Sequence, residues 1–503
     1  MPKIASFISL GTITLDRSSQ TALHRQLFQE LRDKILSHEL KPGTRLPSTR
    51  VLAQEMSLGR NTVIDAFNQL IAEGYVDSIV GSGTRVTSSL PKDIITNFAQ
   101  QYKKNTNSIP TEKRDLQISD NVEDLLKVPF LEGTKLKPFT PALPSIEEFF
   151  IKTWEKIMIK TWRRMSRSQF GYRSALGYPA LREVIASYLR AARGVKCECS
   201  QIIITSGAQQ ALNLTAQLLL NKGDRVWIED PCYNGAKAAF SGVSAKVIPL
   251  PVDKSGIVIK KELNSSTTAR LVYISPSNQF PLGVTMSLKR RLELIQWAEE
   301  NSSWIVEDDY DSEFRYSGSP VMSLQGIDRS ERVIYIGTFS KVLFPALRLG
   351  YMVVPERLVE PVHTLRAHAD RGSPIFEQIV LHDFIEQGHF ARHIRRMKKI
   401  YLDRRNAMIE AMDKHLKGLL KPSSGEAGLH IVTWLPEGVD DREVSELLKS
   451  AGYDVPALSG YFINPPKRGG LLFGFTALDA SEMDKAFETI APIIIRKIKL
   501  DMT

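Results

Sequence analysis

The sequence of 503 residues predicts an α/β protein in which a small helical module with a β-hairpin precedes a larger module of alternating strands and helices. Three observations carry this prediction. Apolar residues recur at helical spacing ahead of a Gly-rich turn, a polar stretch without an apolar period follows, and strand-like and helix-like segments alternate after it. We expect the small module over residues 12–88, a linker over 89–137 and the large module over 138–503.

Composition excludes several classes of protein. Only three cysteines occur, which excludes a disulfide-rich secreted scaffold. Cys197 and Cys199 lack the spacing and the second pair of a zinc site, so we expect no metal. No apolar run approaches the roughly 20 residues of a membrane helix, so we expect a cytoplasmic protein without a membrane partner. The net charge of +10 permits a nucleic-acid partner without requiring one.

The small module contains three predicted helices. Leucine and isoleucine recur every four residues in Thr21–His38, which predicts one apolar helix face. A Pro-Gly break follows, and further helices are expected over Pro47–Met56 and Arg60–Glu73. Two short strand-like segments then flank a Gly-Ser-Gly turn at residues 81–83, which is typical of a hairpin.

Three helices followed by a hairpin describe a winged helix-turn-helix, whose third helix enters the major groove of DNA. The small module has ten Lys/Arg against eight Asp/Glu within residues 1–90, and this weak excess leaves a protein-binding module open. The candidate DNA contacts lie near the starts of the second and third helices and at the wing: Arg45, Ser48, Arg50, Arg60, Asn61, Thr62 and Gly83.

Four strings in this module occur in order: PGTRLPSTR, SLGRNTV, AEGY and GSGTRV. Together they resemble the GntR-type winged-helix domain over nearly the whole module. The resemblance implies that the partner of the small module is double-stranded DNA at a promoter operator.

Three strand-like segments of the large module each run into residues suited to a cofactor. Ile202–Thr205 leads into a Gly-containing turn at a helix start, which can bind an anion such as phosphate. The segment Trp304–Tyr310 ends in acids, one of which can hold a pyridinium nitrogen protonated. Val333–Ile336 precedes the small-residue turn that carries Lys341, which can form a Schiff base. Each motif alone is also compatible with an ordinary turn.

Phosphate turn, acid, phenol and lysine occur in the order that pyridoxal 5′-phosphate (PLP) chemistry needs. The strings TSGAQQAL, EDPCYNG, SPSNQFPLG, EDDYDSEFR and GTFSKVLFPALRLGY resemble the fold type I aminotransferases, which implies an aminotransferase-like fold and PLP as cofactor. With a GntR-type domain joined to it by a long linker, the chain resembles the MocR/GabR family of transcription regulators.

The resemblance implies a role for each matching residue. Lys341 forms the Schiff base, and Asp308 pairs with the pyridine nitrogen, with Asp309 as the alternative. Tyr172 reaches the phosphate of the other subunit, which implies a homodimer with shared sites. The other implied contacts are a phosphate cradle of Ser206, Gly207, Ala208, Thr338, Ser340 and Arg348, the ring-hydroxyl partners Asn278 and Tyr310, and the stacking ring of Tyr233.

One departure from the aminotransferase pattern bears on the ligand. Such enzymes carry an arginine near the chain end that clamps the substrate carboxylate, and Leu472 stands at that position here. Arg468, four residues earlier, is the candidate replacement. Losing a guanidinium fork removes a strong charge-assisted contact, which argues against ordinary amino-acid transamination and favours PLP itself as the sensed ligand.

We therefore predict a PLP-dependent, DNA-binding regulator that senses PLP or an amino compound at Lys341, with residual half-transamination at most. Two alternatives stay open. One is a working aminotransferase with an accessory N-terminal domain, and the other is a binding module with an inactive cofactor fold. The effector, the target gene, the direction of regulation and the operator spacing do not follow from the sequence.

Overall fold

A computed structural model describes residues 13–79, 83–88, 119–126, 128, 137–259, 268–318, 321–423 and 425–502. The chain divides into two compact units, Met1–Gln117 and Ile118–Thr503. Most of the predicted linker lies outside the described residues. Its described part contains a helix, Asp120–Leu126, which packs on the helix Asn234–Ser241 of the large unit. Leu125 makes an apolar contact there, since a Cβ on Gly242 would lie 3.8 Å from its Cδ1.

The small unit has the three helices and the hairpin that the sequence predicts. Strand β1 pairs antiparallel with β2, with Val76 opposite Val86. Gly83 differs from expectation because it lies inside β2 rather than in the turn. The elements of this unit are the helices Leu23–Leu36, Thr49–Glu55 and Arg60–Ala72 and the strands β1 (Val76–Ile79) and β2 (Gly83–Val86).

Apolar residues at helical spacing form the core of the small unit. The first helix buries Leu27, Leu31 and Ile35, and the third buries Phe67 and Leu70 in the same cluster. Burial of side chains of this size stabilises by about 1.5–3 kcal/mol each. The polar side chains of the third helix are thereby left on its outer face.

An eight-stranded sheet forms the centre of the large unit, in the order β3-β10-β9-β8-β7-β4-β5-β6. Its strands are β3 (Ile202–Thr205), β4 (Arg225–Asp230), β5 (Lys246–Asp253), β6 (Gly256–Ile257), β7 (Leu271–Ile274), β8 (Trp304–Asp309), β9 (Val333–Thr338) and β10 (Gly350–Val353).

The directions of these strands bring distant residues together. Strands β9, β8, β7, β4 and β5 are mutually parallel. Strand β10 is antiparallel to both β9 and β3, so β3 runs in the same direction as the parallel set. The carboxyl ends of β3, β4, β7, β8 and β9 therefore lie at one edge of the sheet, where ligands of α/β proteins collect.

Helices cover the sheet, and a second, three-stranded antiparallel sheet follows it. That sheet consists of β11 (Lys421–Pro422), β12 (His430–Trp434) and β13 (Gly470–Gly474), with Leu472 opposite Val432. In the described part of the chain, no helix has the length and apolar character that crossing a membrane would need. The remaining helices are Ile151–Arg164, Pro179–Arg193, Ala208–Leu219, Leu288–Glu300, Leu324–Ile327, Glu356–Ala369, Ile375–Glu386, His389–Leu416, Asp441–Ser450 and Ala480–Asp501.

Candidate functional site

Lys341 follows the end of β9 and faces two carboxylates. Burial lowers the pKa of its ammonium, while the charges of Asp311 and Asp308 act in the opposite direction and Arg348 lowers it further. A lowered pKa enriches the neutral amine, which is the nucleophilic form. The position of Lys341 is set by β9, which extends through Thr338, two residues beyond the strand end that the sequence suggests.

The structure distinguishes the two neighbouring acids at the end of β8. Asp309 is engaged, because it accepts hydrogen bonds from Arg193 at 2.8 Å and from the hydroxyl of Tyr335. Asp308 accepts one bond, from the hydroxyl of Tyr273 at 2.8 Å, and its Oδ1 is buried without a partner. Burial raises the pKa of Asp308 to about 6. Both acids keep a buried Oδ1 without a partner among the described residues, but Asp309 is already paired with a cation, which leaves Asp308 as the acid for a ring N–H.

Asn278 and Tyr310 lie side by side as predicted. The amide nitrogen of Asn278 donates to the Tyr310 hydroxyl at 3.0 Å and to both carboxylate oxygens of Asp311 at 3.0 Å. Its Oδ1 is buried and unpaired. A Cβ on Gly428 would lie 2.4 Å from the same amide nitrogen, so only glycine fits where that segment closes over the site.

The predicted phosphate turn has the geometry of an anion site. Gly207, at φ +94°, precedes the helix Ala208–Leu219, and no side chain caps that helix start. A Cβ on Gly207 would lie 3.8 Å from the guanidinium of Arg348, which places that cation beside the turn. Gly350 of β10 also packs closely, since a Cβ there would lie 2.8 Å from the Gly207 Cα. Free helix N–H groups and an adjacent guanidinium suit a phosphate.

The three hydroxyl residues of the predicted cradle lie at the same strand ends. Ser206 Oγ lies 3.3 Å from the hydroxyl of Ser373, which the sequence analysis did not single out. Thr338 Oγ1 accepts the backbone N–H of Ser340 at 3.2 Å, and both residues are buried. Thr338 belongs to β9 and not to the turn after it.

Tyr233 starts the helix Asn234–Ser241 and is the predicted stacking ring. It is 37% exposed, and its hydroxyl donates to Gln209 Oε1 at 3.3 Å. Burial raises the pKa of Tyr233, Asp308 raises it further and Arg348 opposes this, so all three groups share one environment. Its ring meets Phe280 edge-on with centroids 6.2 Å apart.

The structure does not support Arg468 as a replacement for the missing arginine. Its guanidinium donates to the backbone carbonyls of Leu435 and Trp434, at the far end of β12. Leu472 itself is fully buried in an apolar cluster with Val432 and Tyr461. The position at which an arginine was expected is therefore occupied by an apolar side chain within an apolar cluster, which we call the apolar wall at Leu472.

Tyr172 is 87% exposed, and its ring lies 5.0 Å below the guanidinium of Arg371. Other large apolar side chains that precede Tyr172 in the chain are also exposed: Ile151, Met158, Ile159, Trp162 and Phe170. The rings of Trp162 and Phe170 are in contact, with centroids 6.0 Å apart. Exposed apolar patches on a folded protein commonly mark an interface.

Several residues that build this site were not predicted from the sequence. Arg193 neutralises Asp309, Asp311 fixes Asn278, and Tyr273 bonds Asp308. His430 on β12 is buried, and the charge of Lys341 helps to lower the pKa of its imidazole. Only Asp311 carried a signal, because it lies in the acid-rich string after β8. The others belong to elements that approach only in the folded chain.

In the small unit, the predicted DNA contacts occupy two exposed helix starts. Arg60 and Asn61 begin the third helix and are exposed, Thr62 is half-buried, and Arg50 is exposed on the second helix. Ser48 is the N-cap of that second helix, and its hydroxyl accepts the N–H of Val51 at 3.3 Å. These side chains can meet phosphates or base edges as a group.

The structure gives a reason for glycine at position 83 that differs from the expected contact with DNA. A Cβ there would lie 2.9 Å from Nε of Arg45, so glycine makes room for that arginine. Arg45 is exposed and forms a backbone bridge to Arg85 of β2. The guanidinium of Arg45 therefore lies against Gly83 at the start of β2, next to residues 80–82, which lie outside the described part of the chain.

Comparison with known proteins agrees with both units. Residues 23–86 match the family of bacterial regulatory proteins of the gntR type, and residues 148–490 match the class I and II aminotransferases. The chain is 36% identical over 485 residues to the probable rhizopine catabolism regulatory protein MocR of Rhizobium meliloti, covering 95% of each chain.

Two further similar proteins are a transcription regulator and an aminotransferase. The pyridoxine biosynthesis transcriptional regulator PdxR of Corynebacterium glutamicum is 29% identical, covering 93% of this chain and 95% of PdxR. The kynurenine aminotransferase of Pyrococcus horikoshii, solved in complex with PMP, is 28% identical with a TM-score of 0.67, covering 79% of this chain and 99% of the enzyme. The chain thus belongs to the MocR family of transcription regulators, in which a GntR-type DNA-binding domain precedes a domain of the class I and II aminotransferases.

Proposed function

We propose that this regulator holds PLP at Lys341 and that the ligand state of this site controls the binding of promoter DNA by the small unit. One observation carries the proposal: a lysine whose pKa burial lowers interacts with the charge of Asp308, whose buried Oδ1 has no partner among the described residues. A buried unpaired carboxylate oxygen is costly, and a ring N–H would satisfy it.

The residues present fit PLP at three points. Asp308 would hold the pyridine nitrogen, and Tyr310 with Asn278 would meet the ring hydroxyl. The turn at Gly207 and the guanidinium of Arg348 would hold the phosphate. When bound, PLP supplies an aldehyde that condenses with a lysine amine with loss of water.

The chain's own groups prepare this chemistry. Burial lowers the pKa of the Lys341 ammonium, which favours its neutral, nucleophilic form. Arg193 holds Asp309 in an ion pair, which leaves Asp308 as the acid facing the ring. Arg348 and the helix N–H groups at Gly207 would meet the charge of the phosphate.

Regulation requires that the ligand bind one arrangement of the protein better than another. The exposed apolar surface around Trp162 and Phe170 supports a homodimer, in which Tyr172 of the partner subunit reaches the phosphate site. Such a dimer carries two DNA-binding units. The helix Arg60–Ala72 of each would enter the major groove of double-stranded DNA, and we place the protein in the cytoplasm with its DNA target.

The second candidate function is a working aminotransferase, favoured by the intact set of Lys341, Asp308 and Arg348. The apolar wall at Leu472 argues against it, because an amino-acid carboxylate would find no guanidinium there. The small-molecule effector is then PLP itself or an amino compound without such a carboxylate.

The test is the visible absorption spectrum of the purified full-length protein with added PLP, beside Lys341→Ala. We expect a lysine-dependent band in the wild type and none in the variant. Promoter fragments are then bound with and without PLP. An absent band overturns the cofactor assignment, a band without any effect on DNA binding overturns the regulatory coupling, and fast multiple-turnover transamination favours the enzyme.

A further inference from the structure

His430 is the buried polar residue of this site that no part of the cofactor assignment uses. It begins β12, is 5% exposed, and packs edge-on against Phe280 with ring centroids 5.5 Å apart. Phe280 also meets Tyr310 and Tyr233, so the imidazole belongs to the same aromatic wall as the predicted cofactor contacts. The charge of Lys341 contributes to lowering the pKa of the imidazole.

The protonation of His430 follows from its hydrogen bond. Nε2 lies 2.9 Å from the carbonyl oxygen of Pro281, and a carbonyl only accepts, so Nε2 carries the proton. Burial lowers the pKa of His430 to about 4, so the ring is neutral near pH 7. Nδ1 therefore presents a bare lone pair, and it is buried without a partner.

An unpaired Nδ1 is not in itself a binding site. His393 has the same pattern, with Nε2 on the carbonyl of Val342 and Nδ1 unpaired, but its ring lies among the rings of Phe149 and Phe150. His430 differs in its surroundings, because the wall it shares carries Tyr310 and Tyr233. These rings belong to the predicted cofactor site, and the lone pair of Nδ1 has no partner among the described residues.

The unpaired polar atoms of the site share one property. Among the described residues, Asp308 Oδ1, Asp309 Oδ1, Asn278 Oδ1 and His430 Nδ1 are all buried hydrogen-bond acceptors without a partner. Asp308 and Asn278 are accounted for by the ring nitrogen and ring hydroxyl of PLP in the proposed function, and the Asp309 carboxylate is neutralised by Arg193. His430 Nδ1 remains as an acceptor that needs a hydrogen-bond donor from the ligand. The apolar cluster around Leu472 contains no group that would bind a carboxylate.

We propose that His430 is a specificity residue for the sensed amine, which is a primary amine carrying a hydroxyl group and no carboxylate, and that its hydroxyl donates to His430 Nδ1. This inference rests on the proposed function, since the amine must meet PLP at Lys341. A hydroxyl suits the subsite better than a second ammonium, because a neutral donor costs less to bury than a charge.

The experiment titrates the PLP-loaded full-length protein with ethanolamine, propylamine and glycine and follows the visible spectrum. Ethanolamine and propylamine have the same number of heavy atoms and differ by the hydroxyl, whereas glycine adds the carboxylate. Concentrations are expressed as unprotonated amine. We expect ethanolamine to bind about tenfold more tightly than propylamine, because its hydroxyl satisfies a buried acceptor. Glycine should bind more weakly than ethanolamine.

Variants of His430 assign the difference to this residue. His430→Phe keeps a ring but removes the acceptor, and it should bring ethanolamine and propylamine to equal affinity. His430→Asn keeps an acceptor at the δ position and should retain part of the preference. A purely structural role for His430 would weaken both amines by the same factor and leave their ratio unchanged, which would overturn the proposal.

The wild-type ligand series stands even if a variant does not fold. Equal binding of ethanolamine and propylamine, or a preference for glycine, would show that the inference is wrong while the cofactor site is sound. Absence of the PLP band before any amine is added would instead show that the proposed function has failed. Propanolamine beside butylamine repeats the comparison for a longer ligand.

Discussion

The two units place their functional groups in opposite ways. The small unit displays exposed arginines and an asparagine from consecutive helix starts, Arg50, Arg60 and Asn61, over a separate apolar core. The large unit buries its groups at strand ends that are far apart in sequence, such as Gly207 and Lys341. A surface site can be changed without disturbing the core, whereas in the buried site the groups that bind also hold each other.

The buried site depends on balanced charge. Arg193 is 7% exposed and donates to Asp309 and to the hydroxyl of Ser277, both at 2.8 Å. Next to this pair, Asp308 has an unpaired oxygen. Asp309 is thus held in an ion pair that stabilises the fold, while Asp308 is left for binding. The described core of the small unit is apolar and contains no such pair of carboxylates.

The largest expected effect comes from breaking this balance. Asp309→Asn removes the hydrogen-bonded anion of the buried Arg193 guanidinium and should destabilise the large unit by about 3–5 kcal/mol. All six tryptophans lie between residues 154 and 434, so tryptophan fluorescence follows the unfolding of the large unit alone. The measurement is the denaturant midpoint of that fluorescence transition.

The matched control is Asp308→Asn, the same change one residue earlier. It removes an acid that has no cationic hydrogen-bond partner in the described residues, so the fluorescence transition should shift far less. PLP affinity, followed by the visible band, should fall most in this variant. Similar stability losses in both variants would contradict the division of roles between the two acids.

The second effect tests the small unit's apolar core. Leu70→Ala removes a fully buried side chain of the third helix and should cost about 2–5 kcal/mol. The helical circular dichroism signal should then show an early partial transition while the tryptophan transition stays in place. If the dichroism and fluorescence transitions move together, the two units do not unfold separately, and their cores are not independent.

The sequence predicts the small unit better because its signals are local. Each helix face, cap and turn is set within a few residues, and the observed helices begin and end within a few residues of their predicted limits. The reason for Gly83 was missed, since Arg45 approaches it from about 40 residues away. Local spacing carries no information about such an approach.

In the large unit the sequence predicts the strands and the residues at their ends, including Lys341 and Asp308, because these fall in continuous motifs. It does not separate Asp308 from Asp309, because the cation that does so comes from the helix Pro179–Arg193. It also does not predict His430, whose contact with Phe280 depends on how the second sheet packs. Residues supplied by distant elements need the fold itself.

A smaller effect is expected at the DNA face. Arg60→Ala should weaken binding to an operator fragment and, where the guanidinium meets a phosphate, reduce the salt slope of log K against log salt by about one unit. Both fluorescence and dichroism transitions should stay unchanged, since Arg60 is exposed. A base contact would instead relax sequence preference and leave the salt slope unaltered. No change in affinity would remove Arg60 from the interface.

The smallest expected effect comes from removing one N-cap hydrogen bond in each unit. Ser48 and Ser287 are N-caps whose hydroxyls each accept a backbone N–H at 3.3 Å, from Val51 and Arg290. Ser48→Ala and Ser287→Ala should each cost about 1 kcal/mol. The first should appear in the dichroism transition of the small unit, and the second in the fluorescence transition.

Ser48 is also one of the predicted DNA contacts, so its role as an N-cap must be separated from its role in DNA binding. Ser48→Asp keeps a good capping oxygen but brings a negative charge toward the phosphates. If Ser48 faces DNA, this variant retains the stability of the small unit and loses operator binding, whereas Ser48→Ala loses stability and only modest affinity. Normal operator binding by Ser48→Asp would leave Ser48 as a cap alone, and the exposed face of the small unit would narrow to its arginines and Asn61.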